Sequence, residues 1–250
     1  MKRTLSYMAR RRFFVDEVSR GRAFIGGDEA HHLTRVLRVE AGQKYEIADN
    51  RGVWLAEVEQ ARKDLVTFAV LEELESQPAL VEVNVCVALV KFERIELLVE
   101  KATELGAARI VLFPAERSEK GLERAAEKRR QRWERIAREA SEQSRRSRLP
   151  LIELAPALAS VLSNEARARV MLDEAPGAPP LLGVLPRDVH ASDRVSILAG
   201  PEGGWTERER AAIHEAGWRS ASLGHTILRT ETAVIAALAI IGAWWRANPV

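Results

Sequence analysis

Two glycine-containing turns constrain this chain more than any other feature. The first is Leu198-Ala-Gly-Pro-Glu-Gly-Gly-Trp205, and the second is Leu223-Gly-His-Thr-Ile-Leu-Arg-Thr-Glu-Thr-Ala233. Each turn follows an apolar run typical of a strand and precedes a segment typical of a helix. Glycine allows a ligand to approach the backbone closely, and open α/β sheets bind ligands at the carboxyl ends of their strands. The two turns together therefore predict one ligand site built largely from backbone.

The glycine spacing narrows the kind of ligand. The stretch Gly200–Gly204 has no following Gly-Lys-Ser/Thr, and it lacks the Gly-x-Gly-x-x-Gly spacing of dinucleotide-binding folds. An NTPase and a hydride-transferring enzyme are thus both disfavoured. A plain strand-to-helix connector would explain one such turn, but a second turn of similar character favours a nucleoside-like ligand.

The chain is expected to contain two domains joined at a polar linker, residues 72–79, which includes Pro78. Residues 1–74 hold many short apolar runs separated by turns, which is typical of a small β-barrel. Residues 80–250 alternate strand and helix patterns, which predicts an α/β domain. A final strand is expected at 221–223. The last helix, near 232–245, is apolar almost all round, so we expect it to be buried against the sheet and a second subunit.

Three local signals fix particular elements. Asp28 is expected to cap a short helix, and Asp49-Asn-Arg-Gly52 is expected to form a hairpin turn. Thr206-Glu-Arg-Glu209 has the pattern of a capping box, so a helix is predicted to begin there.

The positive charge is concentrated in two segments, although the formal net charge is only +2. Residues 1–38 hold nine Lys or Arg and four Asp or Glu, and residues 120–148 hold eleven and five. Two basic segments of this kind indicate a polyanionic partner. The alternative for the second segment is a solvated, charged helix.

Other features set the expected environment. The lone Cys86 is expected to be a packing residue, and His31 and His32 lack the ligand cluster that a metal would need. The first ten residues lack the apolar core of a secretory signal, and no apolar run reaches membrane-spanning length. We therefore expect a cytoplasmic protein without a metal or a membrane anchor.

The two turns resemble the two cofactor motifs of the SPOUT methyltransferases. Within that superfamily the chain resembles the RsmE family, which methylates N3 of a uridine in small-subunit (16S) ribosomal RNA. Four further segments are similar to that family: Arg11–Phe14, His31–Arg38, Lys91–Gly106 and Arg132–Arg146.

This resemblance implies more than the patterns themselves. It implies a PUA-like β-barrel followed by an α/β domain with a deep trefoil knot at the two turns. It also implies S-adenosylmethionine as cofactor, a homodimer with the site at the subunit interface, and small-subunit ribosomal RNA, naked or in an assembled subunit, as partner.

The resemblance assigns residues to the cofactor, and the chemistry of uracil N3, which must lose a proton before it attacks, suggests residues for catalysis. Arg229 is expected to stabilise the anion that forms on the uracil, and Glu202 or Glu231 is expected to accept its proton or orient Arg229. A purely structural alternative for Glu231 is a favourable carboxylate in a helix's first turn. The expected cofactor-binding residues are Leu172, Asp173, Leu198, Ala199, Gly200, Pro201, Gly203, Gly204, Leu223, Gly224, Ile227 and Leu228.

Basic residues are expected to contact RNA phosphates, which gives affinity that falls with added salt. Phe13 and Phe14 are expected to be buried rather than stacked on bases. The expected phosphate contacts are Arg11, Arg12, His31, Arg35, Arg38, Arg138, Arg145 and Arg146.

Three alternatives remain open. One is a methyltransferase of the same superfamily that acts on transfer RNA or large-subunit RNA. Another is a catalytically silent RNA-binding relative. The third is a pseudouridine synthase, for which the glycine-rich turns would have no purpose.

Overall fold

The structure, a computed structural model, describes residues 11–76, 79–191 and 193–248. These residues form two compact units. The first comprises the described residues up to 76 together with Ser141–Leu149, and the second comprises the remainder. Residues 1–10, on which the absence of a secretory signal was argued, lie outside the described part.

The first unit is built on a half-barrel sheet of five strands in the order β1-β3-β4-β5-β2. Strand β1 runs parallel to β3, and the other neighbours are antiparallel. Phe13, Ile47 and Phe68 are buried in its core. Phe14 is equally buried, so the prediction that both phenylalanines are packing residues is confirmed. The elements are β1 (Arg12–Phe14), β2 (Arg22–Gly26), α1 (Gly27–Arg35), β3 (Lys44–Ala48), β4 (Val53–Arg62) and β5 (Leu65–Leu74).

The hairpin turn between β3 and β4 is confirmed. The Asp49 carboxylate accepts hydrogen bonds from the backbone N–H groups of Arg51 (2.9 Å) and Gly52 (3.0 Å). The expected cap at Asp28 is wrong, because α1 begins two residues earlier than that cap requires, and Gly26, which has no side chain, is its N-cap. Asp28 instead lies in the first turn of α1, where the helix dipole favours a carboxylate.

The second unit is a parallel sheet in the order β11-β9-β10-β6-β7-β8 with helices on both faces. Alternate side chains of its strands enter two apolar clusters, so the sheet is buried on both faces. The strands are β6 (Glu82–Ala88), β7 (Ala107–Phe113), β8 (Leu151–Leu154), β9 (Ala168–Leu172), β10 (Arg194–Ala199) and β11 (Arg219–Ala221). The helices are α2 (Phe92–Glu104), α3 (Leu122–Gln143), α4 (Leu158–Leu162), α5 (Leu181–Val184), α6 (Glu207–Glu215) and α7 (Thr230–Ala247).

Several predicted bounds need correction. Strand β5 continues to Leu74, so residues 72–74 are not linker, and Pro78 lies outside the described residues. The last strand ends at Ala221 rather than beginning there. Strand β8 and the short helices α4 and α5 had no sequence signal strong enough to predict them. Short elements of this kind are fixed by their neighbours in the fold rather than by local propensity.

The capping box at the start of α6 is confirmed. The Thr206 hydroxyl accepts from the Glu209 backbone N–H, and the Glu209 carboxylate accepts from the Thr206 N–H at 2.9 Å. The same carboxylate accepts the Glu116 N–H, also at 2.9 Å, so it connects α6 to the loop after β7. These bonds hold the segment that follows the first glycine-rich turn.

Helix α7 is apolar but is not buried on every side. Val234, Leu238, Ile241 and Trp245 pack into the main core, whereas Ala239 and Ala243 are exposed. One face is therefore covered by this chain and another is open. In the described part of the chain no helix is both long enough and apolar enough to cross a membrane.

The segment Ser141–Leu149 packs with the first unit, although the expected boundary placed it within 80–250. Within that unit the Glu46 carboxylate, only 10% exposed, forms ion pairs with Arg12 (2.9 Å) and Arg145 (3.2 Å). Arg12 also donates to the Arg145 carbonyl at 2.6 Å, and the Asn50 side chain accepts the Leu149 N–H at 2.8 Å. The segment is thus fixed to the sheet by charge and by hydrogen bonds.

Candidate active site

A cavity of about 330 Å³ opens at the carboxyl ends of β9, β10 and β11. Because all three strands are parallel, the segments that follow them meet at the same edge of the sheet. Residues of the loop after β9, of the first glycine-rich turn and of the second turn line this cavity. The structure therefore brings together the two turns that the sequence placed in one site.

The cavity is lined by most of the residues expected to bind a cofactor. Two of the expected residues are not in its wall. Leu198 is fully buried in the core beneath it, and the Gly203 carbonyl accepts a hydrogen bond from Arg117 at 2.9 Å. The expected residues in the wall are Leu172, Asp173, Ala199, Gly200, Pro201, Gly204, Leu223, Gly224, Ile227 and Leu228.

Close packing holds the first turn in one conformation. A Cβ atom at Gly200 would lie 2.9 Å from the Trp205 indole, which itself stacks on Phe113 with the ring planes 7° apart. Gly204 has a φ of +66°, in the left-handed region that glycine adopts without strain. Packing against Trp205 therefore favours glycine at position 200, and the backbone conformation favours it at position 204.

A hydrogen bond connects the two turns. Thr230, the first residue of α7, donates its hydroxyl to the carbonyl of Gly200 at 2.9 Å. Arg229, which precedes it, is the N-cap residue of α7 and lies in the cavity wall with an exposed side chain. The start of α7 thus fixes the position of Arg229 relative to the first turn.

The charged residues expected to act in catalysis fall into two groups. Arg229 and Glu202 both line the cavity, and Glu202 forms an ion pair with Arg94. Glu231 is 5% exposed, is not part of the cavity wall, and has one buried carboxylate oxygen without a hydrogen-bond partner. The structure therefore brings Arg229 and Glu202 together and leaves Glu231 within the packed base of α7.

The Asp173 carboxylate is already occupied by donors from the protein. Arg210 (2.6 Å) and Ser220 (3.0 Å) donate to one oxygen, and the Ala175 N–H (3.1 Å) donates to the other. Burial raises the pKa of Asp173, but these hydrogen bonds outweigh burial and leave the pKa below its usual range. Asp173 is therefore a charged, fully engaged residue of the cavity wall.

Sequence reasoning missed several residues of the cavity wall. Arg94 lies in the first turn of α2, which follows β6, and β6 neighbours β10 in the sheet. The resemblance of Lys91–Gly106 to a known family covered Arg94 but gave it no role, and the strand order that brings it to the cavity is not readable from local sequence. Glu174, Trp205 and Thr230 also line the cavity, and they adjoin residues that were predicted.

The residues expected to bind RNA differ in how accessible they are. Arg11, His31, Arg35 and Arg38 are exposed in the first unit, and His31 and Arg35 are one helical turn apart on α1. Arg12 is committed to Glu46, as described above. The structure thus provides an accessible basic group at the end of α1, namely His31, Arg35 and Arg38, and a separate exposed Arg11 beside β3, whereas Arg12 is paired.

The second basic segment is rich in ion pairs. Arg132 and Arg129 pair with Glu96, and Arg130 pairs with Glu134 one turn along α3. Arg138 is half-buried on the same helix, and Arg145 pairs with Glu46. Burial lowers the pKa of Arg146 to about 10. Much of the positive charge of this segment is therefore balanced within the protein.

Two expectations about reactive side chains can be compared with the structure. Cys86 is buried in β6, and burial raises the pKa of its thiol to about 12, which agrees with a packing role. Within residues 11–76, 79–191 and 193–248, no three His, Cys, Asp or Glu side chains are grouped so that they could hold a metal ion.

The fold and the site define an RNA methyltransferase with an accessory domain. Residues 76–242 match a family model described as an RNA methyltransferase domain, and residues 25–71 match one described as an RNA methyltransferase PUA domain.

Individual relatives make the assignment narrower. The chain is 32% identical to the ribosomal RNA small subunit methyltransferase E of Bacillus subtilis, over 87% of this chain and 88% of that protein. It is 33% identical to the enzyme of that name from Mycobacterium bovis, over 92% and 90%. The crystal structure of a ribosomal RNA small subunit methyltransferase E from Neisseria gonorrhoeae, bound to S-adenosyl methionine, superposes with a TM-score of 0.82 at 27% identity, covering 94% of this chain and 98% of that one. This chain belongs to the ribosomal RNA small subunit methyltransferase E family.

Proposed function

We propose that this chain transfers the methyl group of S-adenosylmethionine to N3 of one uridine in small-subunit ribosomal RNA. The observation that carries the proposal is the convergence of both glycine-containing turns on one cavity, with Arg229 in its wall. Membership of the family supports the same substrate class, and the cofactor bound in the Neisseria gonorrhoeae relative supports the same methyl donor.

The cavity suits the proposed cofactor. Its volume of about 330 Å³ lies in the range of pockets that hold small ligands. Leu172, Leu223 and Leu228 provide aliphatic surface for a flat purine ring, and the turns provide backbone N–H and C=O groups. The cavity wall also holds both signs of charge, from Arg94, Arg229, Glu174 and Glu202, which suits a zwitterionic amino-acid tail.

The residues of this chain have a limited chemical task. S-adenosylmethionine supplies a methyl group that its sulfonium has already activated. Uracil N3 carries a proton and is a poor nucleophile until that proton leaves, so the protein must stabilise the anion and orient the base. Arg229 is the cation we assign to the anion. Glu202, which shares the cavity with Arg229, is a better-placed proton acceptor than the buried Glu231.

The remaining parts of the proposal concern assembly and RNA. We assign RNA-phosphate contacts in the first unit to Arg11, His31, Arg35 and Arg38, which are exposed. The open face of α7 supports a homodimer. A trefoil knot is part of the proposal, and it is compatible with the passage from β10 beyond β9 to β11 and with the Thr230–Gly200 hydrogen bond that joins the two turns. A cytoplasmic location would follow from a ribosomal RNA substrate.

Product analysis tests this function directly. Small-subunit RNA, assembled small subunits, large-subunit RNA and transfer RNA, all from a strain that lacks the modification, are incubated separately with the enzyme and methyl-labelled cofactor. Nuclease digestion and mass spectrometry then identify the labelled nucleoside. We expect N3-methyluridine at a single position. Label in transfer RNA or large-subunit RNA would favour the other superfamily activity, and cofactor binding without any labelled RNA would contradict the proposal.

A further inference from the structure

One carboxylate connects all three segments that line the cavity. Asp173 directly follows β9, and its side chain is only 3% exposed. Its donors come from different elements: Arg210 from α6, Ser220 from β11, and the Ala175 N–H from the loop after β9. Helix α6 begins where the first glycine-rich turn ends, and β11 leads into the second turn. Asp173 therefore lies at the point where the three cavity-lining segments join the fold.

Of the three donors to this carboxylate, only Arg210 carries a positive charge that balances it. A buried carboxylate is costly unless it is paired and hydrogen-bonded, and breaking such a pair leaves the remaining charge uncompensated. Hydrogen bonding to Asp173 raises the pKa of Arg210, with Glu174 and Glu207 as further negative neighbours. Loss of Asp173 would therefore leave Arg210 free to turn towards Glu174, which itself lines the cavity.

The three donors leave the Asp173 carboxylate little capacity to bind a ligand. Both oxygens already accept hydrogen bonds from the protein, and Asp173 also donates its backbone N–H to the Ala221 carbonyl at 2.9 Å. The residue thus supports the shape of the cavity instead of supplying a free carboxylate to it.

We propose that Asp173, Arg210 and Ser220 are positioning residues that hold the three loops of the cofactor cavity at the spacing required for binding. This inference rests on the proposed function, because it assumes that the cavity binds S-adenosylmethionine. It changes the expected role of Asp173 from direct cofactor contact to support of the wall.

A second ion pair in the same sheet offers a matched control. Arg167 donates to both carboxylate oxygens of Asp193, at 2.9 and 2.8 Å, and the Asp193 side chain is 8% exposed. These residues precede β9 and β10, so they lie at the amino ends of the strands, opposite the cavity. The control pair is similar in chemistry and burial, but it holds no cavity-lining segment.

The experiment compares Asp173→Asn, Arg210→Gln, Arg210→Lys and Ser220→Ala with Arg167→Gln and Asp193→Asn. Cofactor Kd is measured by calorimetry, KM and kcat by methyl transfer to RNA, and Tm by thermal unfolding. We expect Asp173→Asn and Arg210→Gln to raise Kd and KM for the cofactor about ten-fold, because each variant loses a charged hydrogen bond. The kcat at saturating cofactor should change little. Ser220→Ala should have a smaller effect, and Arg210→Lys should restore part of the affinity.

The control variants should lower Tm without changing cofactor Kd. The proposal is wrong if folded Asp173→Asn and Arg210→Gln proteins bind the cofactor as the wild type does, or if the control variants weaken binding equally. If the charge variants do not fold, the milder Ser220→Ala variant is used in their place, and its cofactor Kd is compared with that of the wild type. Failure of the proposed function is a separate result: wild-type protein that binds the cofactor but does not methylate the RNA leaves the Kd comparison valid.

Discussion

Arg229 is positioned by the backbone of two elements, and its side chain is left exposed. It is the N-cap of α7, and the next residue, Thr230, is hydrogen-bonded to Gly200 in the first turn. The backbone of Arg229 is therefore fixed at the cavity wall, from which its exposed guanidinium can meet a charge that develops on a bound base. The position of Arg229, rather than its identity alone, is what supports a catalytic role.

Replacing Arg229 by alanine should lower kcat about 100-fold, the usual cost of removing one anion-stabilising donor. Cofactor Kd should change little, since the backbone groups of the turns remain. Single-turnover methylation and calorimetry would separate the two effects. The kcat of Arg229→Lys, which keeps the charge but loses the planar guanidinium, should lie between the values of the wild type and of Arg229→Ala. A methylation rate near that of the wild type in Arg229→Ala would remove the residue from the mechanism.

At the scale of single residues, local sequence predicted the role of a side chain correctly where that side chain bonds to nearby backbone. The capping box at Thr206 and the turn at Asp49 were correct because both depend on contacts within four residues. The role of Arg12 could not be read in this way. Its partners, Glu46 and the Arg145 carbonyl, are distant in sequence, and only the folded unit brings them together.

Helix α1 is the element on which the proposed RNA contacts depend most. It is short and amphipathic: Ala30 and Leu33 are buried, whereas His31 and Arg35 face the solvent. Arg38, just beyond the helix, is exposed as well. The basic, accessible part of this element is therefore its C-terminal end with Arg38, since Asp28 is exposed in the first turn.

Charge reversal on α1 should weaken RNA binding in a salt-dependent way. Each phosphate contact contributes about one unit to the slope of log affinity against log salt, so Arg35→Glu should reduce that slope by about one and lower affinity at low salt. Arg51→Glu, at the exposed turn between β3 and β4, is the matched control, because this turn is at the opposite end of β4 from the turn that bonds to α1. Filter binding across a salt series measures both. A flat salt response in the wild type would contradict phosphate binding by this surface.

Element bounds show where sequence patterns lose their power. Long amphipathic helices and buried strands were predicted because their periodicity extends over many residues. Strand β8 and the correct bounds of β11 were not predicted, because these strands are only four and three residues long. Neighbouring strands, not propensity, select these residues for pairing.

At the scale of the whole molecule, α7 links stability to assembly. Its inner face packs into the main core, while Ala239 and Ala243 are exposed on an otherwise apolar helix. Ile227, in the second turn, is 84% exposed, and Leu182 is 50% exposed. Leu182 and Ile240 line one surface depression together with the second turn, and contiguous exposed apolar surface is typical of an interaction site.

Sedimentation equilibrium at micromolar concentration should therefore give about twice the 27.9 kDa of one chain. Ala239→Glu with Ala243→Glu should shift the equilibrium towards monomer, because charge would be buried without a partner. Leu71→Glu, at an exposed apolar site in the first unit, should not. A wild-type chain that sediments as a monomer would contradict the proposed homodimer.

The sequence by itself determined the class of fold, the strand-end location of the site and most of the residues around the cavity. The α/β class and the strand-end location depend on periodicity and on glycine, which act over short stretches of chain, whereas the individual cavity residues came from the resemblance to a known family. The tertiary structure alone decided which charges are free and which are paired. It assigned Asp173 to Arg210 and Ser220, Glu202 to Arg94, and Ser141–Leu149 to the first unit. Such contacts join residues that are remote in sequence, and electrostatic energy depends on distance and burial in space, which no local pattern encodes.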